Sequence, residues 1–214
     1  MRPTSFLRAA LAAAVTAAPA AAQPFLPVNS LDGLGLPSVV HVGQTIAAPA
    51  ATPLLTGFTF HLGEAYNGAS LRFGAAVYEY AAGSVVGPAL RTLGPFAGSA
   101  NVLGLDPYDF DIPDLLLDPA RTYVLLLTAS GVADADPNGA RNLFGTMEDP
   151  ATGLGDVYAG GTLVLGDDAT ALAELGFDAA FDARFAAVPE PATVALVAGG
   201  LVALAGVARR RARG

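Results

Sequence analysis

The sequence has no cysteine and no tryptophan, and of its residues only two are histidine, His41 and His61. All eleven of its basic residues are arginine, so lysine is missing too. Without cysteine there is no disulfide, no thiolate nucleophile and no thiolate metal site. Stability then has to come from core packing or from a bound metal. Without tryptophan the chain lacks the largest aromatic platform for stacking on a sugar ring. A phosphate-binding loop needs a lysine after its glycines, and none exists. A G-x-S-x-G nucleophile elbow is also absent. No nucleophile motif therefore points to an enzyme, and a non-enzymatic role is expected.

The 214 residues are 53% hydrophobic and only 14% charged. Part of that apolar excess sits in two terminal segments that stand apart from the rest. Between them, residues 23–187 are long enough for one domain with its own core. This middle holds 18 acidic residues against 5 arginines, a net charge of −13. So acidic a surface repels phosphate backbones and argues against a nucleic-acid partner.

Met1–Ala22 carries Arg2 and Arg8, then the apolar run Ala9–Ala18, then the small residues Ala20-Ala21-Ala22. Basic flank, short apolar core and small-residue end form a secretory signal peptide, with cleavage expected between Ala22 and Gln23 and with Ala20 and Ala22 as the residues a signal peptidase reads. The run is too short to span a bilayer, which takes about 20 apolar residues.

The other end begins Val188-Pro189-Glu190-Pro191, where each proline fixes its own φ and disfavours helix in the residue before it. Ala192–Ala208 follows, 17 residues with no charge and one polar side chain, Thr193, and then Arg209, Arg210, Arg211 and Arg213. As a helix the run is roughly 26 Å long, at the short limit for a transmembrane helix through a hydrocarbon core of about 30 Å. The arginines belong on the cytoplasmic side, so the middle faces outward, as the N-terminal signal also requires.

These three parts, in this order, resemble the PEP-CTERM sorting signal of exported proteins of Gram-negative bacteria. The resemblance covers residues 188–214. It implies processing by an exosortase, a membrane enzyme that would cut near Pro189-Glu190-Pro191, and a final place on the cell surface or in the extracellular matrix. Proteins with such tails are often tied to exopolysaccharide.

In the middle, glycine and proline recur every 8 to 12 residues, the punctuation of an all-β sandwich or barrel. Leu71–Tyr80 alternates, with Leu71, Phe73, Ala75 and Val77 on one parity. Leu55, Phe58, Phe60 and Leu62 mark another strand. Tyr123–Leu127 is continuously apolar, as a central strand covered on both faces would be. Val157–Leu165 and Asp178–Ala186 read as late strands, the second with Phe181, Ala183 and Phe185 on one side. Short connections favour antiparallel pairing, and one sheet alone would leave an apolar face bare. An antiparallel β-sandwich of jelly-roll type is therefore expected, with a partly open barrel as the runner-up. The stretches Val42–Ile46, Leu55–Phe60, Leu71–Tyr78, Val86–Leu90 and Tyr123–Leu126 also resemble a domain that accompanies PEP-CTERM tails. That resemblance implies a sandwich of carbohydrate-binding-module type with no established activity. Relatives tend to carry a late tryptophan, which this chain lacks.

Three further features carry candidate chemistry. Asp134, Asp136 and Asn138, followed by Gly139, match the first half of a calcium loop, in which alternate oxygens converge on one ion. The second half fails, because position 12 is Gly145 where a glutamate is expected. A surface turn built from the same residue types is the simpler reading. Asp106–Asp114 is acidic and broken by Pro107 and Pro113. It reads as a solvated loop, or, if its carboxylates face one another across a cleft, as the acid–base pair of a secreted hydrolase. The two histidines, in strands, are expected to face solvent. Tyr66, Tyr78, Tyr80, Tyr108 and Tyr158 remain as sugar-stacking candidates for a glycan-binding module. The first reading is a non-catalytic exported sandwich; a module that binds exopolysaccharide is the alternative.

Overall fold

A computed structural model describes residues 27–35, 39–129, 140–149 and 153–188. Twelve strands account for most of them: β1 (Pro27–Gly35), β2 (His41–Ala47), β3 (Leu54–Tyr66), β4 (Arg72–Ala81), β5 (Ser84–Ala97), β6 (Asp106–Leu116), β7 (Thr122–Thr128), β8 (Arg141–Asp149), β9 (Gly153–Leu154), β10 (Leu163–Gly166), β11 (Ala173–Glu174) and β12 (Phe181–Ala186). The helical content among the described residues is one turn of 3-10 helix, Gly68–Ser70. No helix among them is long and apolar enough to cross a membrane. The signal segment 1–22 and the apolar run 192–208 lie outside the described residues.

The strands form two six-stranded sheets whose named strands all pair antiparallel. In the first, β3 pairs with β6 along one edge; along the other it pairs with β12 and then with β8, which continues to β1 and β9. The second runs β11-β10-β2-β7-β4-β5. Most connections carry the chain from one sheet to the other.

The pleat explains which residues meet. On β7, Tyr123, Leu125 and Leu127 enter the core between the sheets. Val124 and Leu126 turn outward into a second cluster with Tyr80, Val164 and Leu172. The unbroken apolar run is thus a strand buried on both faces, as expected. On β3, Leu55 and the trio Phe58, Phe60 and Leu62 are all fully buried although they differ in parity. The cause is Thr56, which both neighbouring ladders skip. An extra residue in one strand flips the parity beyond it. Aromatic rings then bridge the sheets: Phe110 of β6 stacks on Phe58 at 4.8 Å and meets Phe96 of β5 edge-on at 5.1 Å. Phe73 of β4 lies 5.7 Å from Tyr108. Each fully buried side chain of this size is worth roughly 2–3 kcal/mol over an exposed one, the main source of stability left to a chain without disulfides.

Two expectations are corrected. Asp106–Asp114 is not a loop but the greater part of β6. Phe110 and Ile112 are buried and Tyr108 half-buried, while Pro107, Asp109 and Asp111 are exposed. Among the described residues β6 pairs only with β3, and an edge strand tolerates prolines because no ladder bond needs their missing N–H. Conversely, Val157–Leu165 is a strand only from Leu163. The N–H groups of Val157 and Tyr158 are turned away from any ladder and donate instead to Asp178 Oδ2, at 2.7 and 2.6 Å.

Asp178 is fully buried. Its Oδ1 accepts from Gln44 Nε2 of β2 at 2.8 Å, and Gln44 Oε1 accepts from the Ala179 N–H at 2.8 Å. Burial pushes the Asp178 carboxyl above the usual range, against the pull of its three N–H donors. This clasp ties β2, in one sheet, to the segment that leads into β12, in the other. Asp178→Ala leaves buried donors unpaired, at about 1–3 kcal/mol each, and is expected to cost roughly 3 kcal/mol or more. Asp178→Asn should recover little, because its amide brings two further hydrogens to a site already supplied with donors. The midpoint of urea unfolding reads both; a loss under about 1 kcal/mol for the alanine variant would show that the clasp is dispensable.

Candidate functional site

β12 is laddered to β3 from Phe181–Phe60 to Ala186–Leu54. Ala187 and Val188 follow, and Val188, the first residue of the sorting sequence, is 43% exposed. Pro189, Glu190, Pro191, Arg209, Arg210 and Arg211 lie outside the described residues. So do Ala20, Ala22 and Gln23 at the signal cleavage point, and Asp134, Asp136 and Asn138 of the calcium pattern. The second half of that pattern falls in β8, a strand. Gly145, position 12 of the pattern, pairs there with Ser30 of β1. Among the described residues no group of three or more His, Asp or Glu side chains is placed to hold a metal ion.

The described side chains that gather most chemistry lie on the outer face of the first sheet. Register aligns Asp182 of β12 with Thr59 of β3, and Thr59 with Asp109 of β6. Paired residues share a face, so these three form a row across three strands. Two strand spacings separate its ends, about 10 Å of backbone. Thr59 Oγ1 donates to Asp109 Oδ1 at 2.5 Å. Arg184 Nη1 reaches Thr59 Oγ1 at 2.9 Å and Asp109 Oδ1 at 3.1 Å, and its Nη2 reaches Asp111 Oδ1 at 3.2 Å. Gly57 makes this possible: a Cβ there would stand 2.4 Å from Arg184 Nη2.

The two carboxyls at the ends of the row are displaced in opposite directions. The Thr59 hydroxyl, and then Arg184, hold Asp109 below the ordinary carboxylate range. Burial pushes Asp182 up, and Asp109 adds to the push while Arg184 opposes it. Asp182 Oδ1 is buried without a hydrogen-bond partner. The sequence shows Asp109, Asp111 and their neighbours as an acidic stretch. It does not show that Asp182 and Arg184, some 75 positions later, complete the group. The signal that could have found β6 was the alternation Tyr108, Phe110, Ile112.

Of the five tyrosines offered for stacking, Tyr66 alone is largely exposed, at 45%. Tyr80 is buried with its hydroxyl on Glu174, and Tyr158 packs into the core with its hydroxyl at Ala47. Tyr108 packs against the core from β6, and Tyr78 against the outer cluster.

His41, expected to face solvent, is only 9% exposed and its Nδ1 is buried without a partner. Burial lowers its pKa against the opposing pull of Asp168 and Asp167. Burial likewise lowers His61, with Asp109 opposing. A histidine depressed in the folded state leaves the unfolded chain to take up the proton first. The associated stability is therefore present above the ordinary value of 6.5 and is lost as pH falls from there through the folded pKa. The histidine contribution to the urea midpoint should fall between pH 7 and pH 5, against the raised carboxyls of Asp178 and Asp182, which act in the opposite sense. His41→Leu should therefore shift the slope of the midpoint with pH toward greater stability at pH 5. An unchanged slope would mean that His41 titrates alike in both states.

Comparison with protein families matches residues 187–212 to the PEP-CTERM protein-sorting motif. No curated protein and no solved structure matches the chain. The matched segment opens at Ala187, immediately after the last ladder residue of β12. The chain thus carries, directly behind its folded sheets, a PEP-CTERM sorting motif of the kind that marks a protein for export and processing by an exosortase.

Proposed function

We propose that the protein is exported by its signal peptide, Met1–Ala22, and held in the inner membrane by Ala192–Ala208 with the arginines inside. An exosortase then cuts it near Pro189-Glu190-Pro191. Its sandwich, wound as a jelly-roll-type module, works without catalysis at the cell surface or in the extracellular matrix. The observation that carries this reading is the position of the matched motif. It opens where β12 ends, so processing there removes the tail and leaves both sheets whole. The intact mass of the mature protein from its own host tests it. A chain running from Gln23 to the neighbourhood of Pro189–Pro191 is expected; a chain that still ends at Gly214 would reduce the tail to a plain anchor.

A second reading, direct binding of exopolysaccharide, is supported by the polar row. Asp109, Asp111 and Arg184 offer carboxylate and guanidinium groups on an open sheet face, above the buried Thr59 hydroxyl, and such groups hydrogen-bond sugar hydroxyls. Retention of the folded domain on immobilised host exopolysaccharide should drop at least several-fold in Arg184→Ala, with far-UV circular dichroism unchanged. Equal retention of the variant and the parent would take the row out of any such binding.

A further inference from the structure

We propose that, while the tail is still in the membrane, the end of the sandwich from which it leaves rests against the lipid surface. This goes beyond the export-and-anchoring reading and depends on it. The last ladder residue of β12 is Ala186, opposite Leu54. The uncharged run begins at Ala192. Only residues 187–191 lie between, and the six Cα steps from Ala186 to Ala192 reach at most about 21 Å when fully extended. The headgroup layer on one side of a bilayer takes up roughly 5–8 Å of that. The sheet end is therefore held within about 16 Å of the headgroups, whatever conformation the five residues adopt.

What that end presents fits a lipid surface. Register puts Leu116 of β6, Leu54 of β3 and Ala186 of β12 in one row across the sheet, sharing its outer face. Leu116 is 62% exposed, unusual for a leucine on a strand, and Val188 continues the apolar character toward the tail. The β2–β3 connection, Ala48-Pro49-Ala50-Ala51-Thr52-Pro53, arrives at the same end; it is exposed at Pro49, Ala50 and Ala51 and carries no charge. On the sheet face the nearest charges, Asp111 and Arg184, sit beyond the Thr56 bulge, level with Gly57. Asp114 and Asp118 flank the patch. A contact this small is too weak to hold a free protein on a membrane. The tether removes that requirement, because it turns the encounter into an intramolecular one. Another exposed apolar tip, Val102-Leu103, belongs to the connection that touches Glu64, ten residues along β3 and so about 30 Å away. It is the internal control.

The absence of cysteine makes the test direct, since Leu116→Cys or Leu103→Cys introduces the one thiol to label. Both positions are exposed, so neither variant should disturb the fold. The tail-bearing chain, purified from membranes of a host lacking its exosortase, is put into phosphatidylcholine vesicles and floated. The fluorophore at each site is then challenged with a quencher carried on the lipid. Quenching at residue 116 several-fold above that at residue 103 is the expected result. If the protein floats and the two labels are quenched alike, the docking is wrong while the anchoring stands. If the protein does not float with the vesicles, the anchoring reading fails and the docking falls with it.

Discussion

The position of the sorting junction depends on one buried interaction. Asp178 and Gln44 face each other inside the sandwich, each satisfying the other's side chain and the backbone around it. Through Gln44 the pair holds β2, in the second sheet. Through Asp178 it holds the Val157–Tyr158 turn and the start of the final segment, which then runs as β12 along β3 in the first sheet. Backbone bonds from Met147 to the Asp178 carbonyl and from Ala180 to the Gly145 carbonyl add β8 to the same point. A chain without disulfides has no covalent way to fix where its last strand begins. Here a desolvated carboxylate does so, because any displacement strands three donors away from water. The register of β12, and hence the place where the motif emerges, follows from that anchor.

How much of the fold could be read in the sequence depended on how local the signal was. β4 and β7 declare themselves in their own residues: alternation for a strand with one core face, an unbroken apolar run for a strand with two. β6 does not, because its aspartates and prolines imitate a loop. Pairing with β3, its only ladder partner among the described residues, makes those residues acceptable. Val157–Gly161 fails in the opposite sense. Its residues suit a strand, but a carboxylate twenty positions away takes its backbone donors, and Gly161 packs so tightly on Thr45 that a Cβ would stand 1.8 Å from the Thr45 carbonyl oxygen. Side chains from elsewhere in the fold thus overrode local pattern in both directions.

The functional features divide along the same line. A sorting tail is legible because it works as a linear segment: its proline break, apolar run and arginines have to be consecutive, so their order is the signal. The polar row is not legible, because it is assembled by register. Asp109 and Asp182 come into one row, with Thr59 between them, only once β6 and β12 are laddered to opposite edges of β3. The same assembly withdraws candidates that composition offered. Four tyrosines that looked available for stacking spend all or part of their ring area on the core or the outer cluster, and a histidine assigned to solvent is buried.

The arrangement also bears on what kind of ligand the exposed face suits. Stacking binds a sugar through its apolar ring face, and here the one largely exposed tyrosine, Tyr66, sits at the far end of β3 from the tail. The row around Thr59 offers hydrogen bonds and charge instead. Exposed ion pairs such as Arg184 with Asp109 and Asp111 contribute little to folding, typically under about 1 kcal/mol. Their partners are therefore cheaply exchanged for those of a ligand. Asp182 differs, since its buried oxygen has no partner to lose. That oxygen is shut off from solvent, so the exchangeable contacts of the row are those of Arg184 with Asp109 and Asp111.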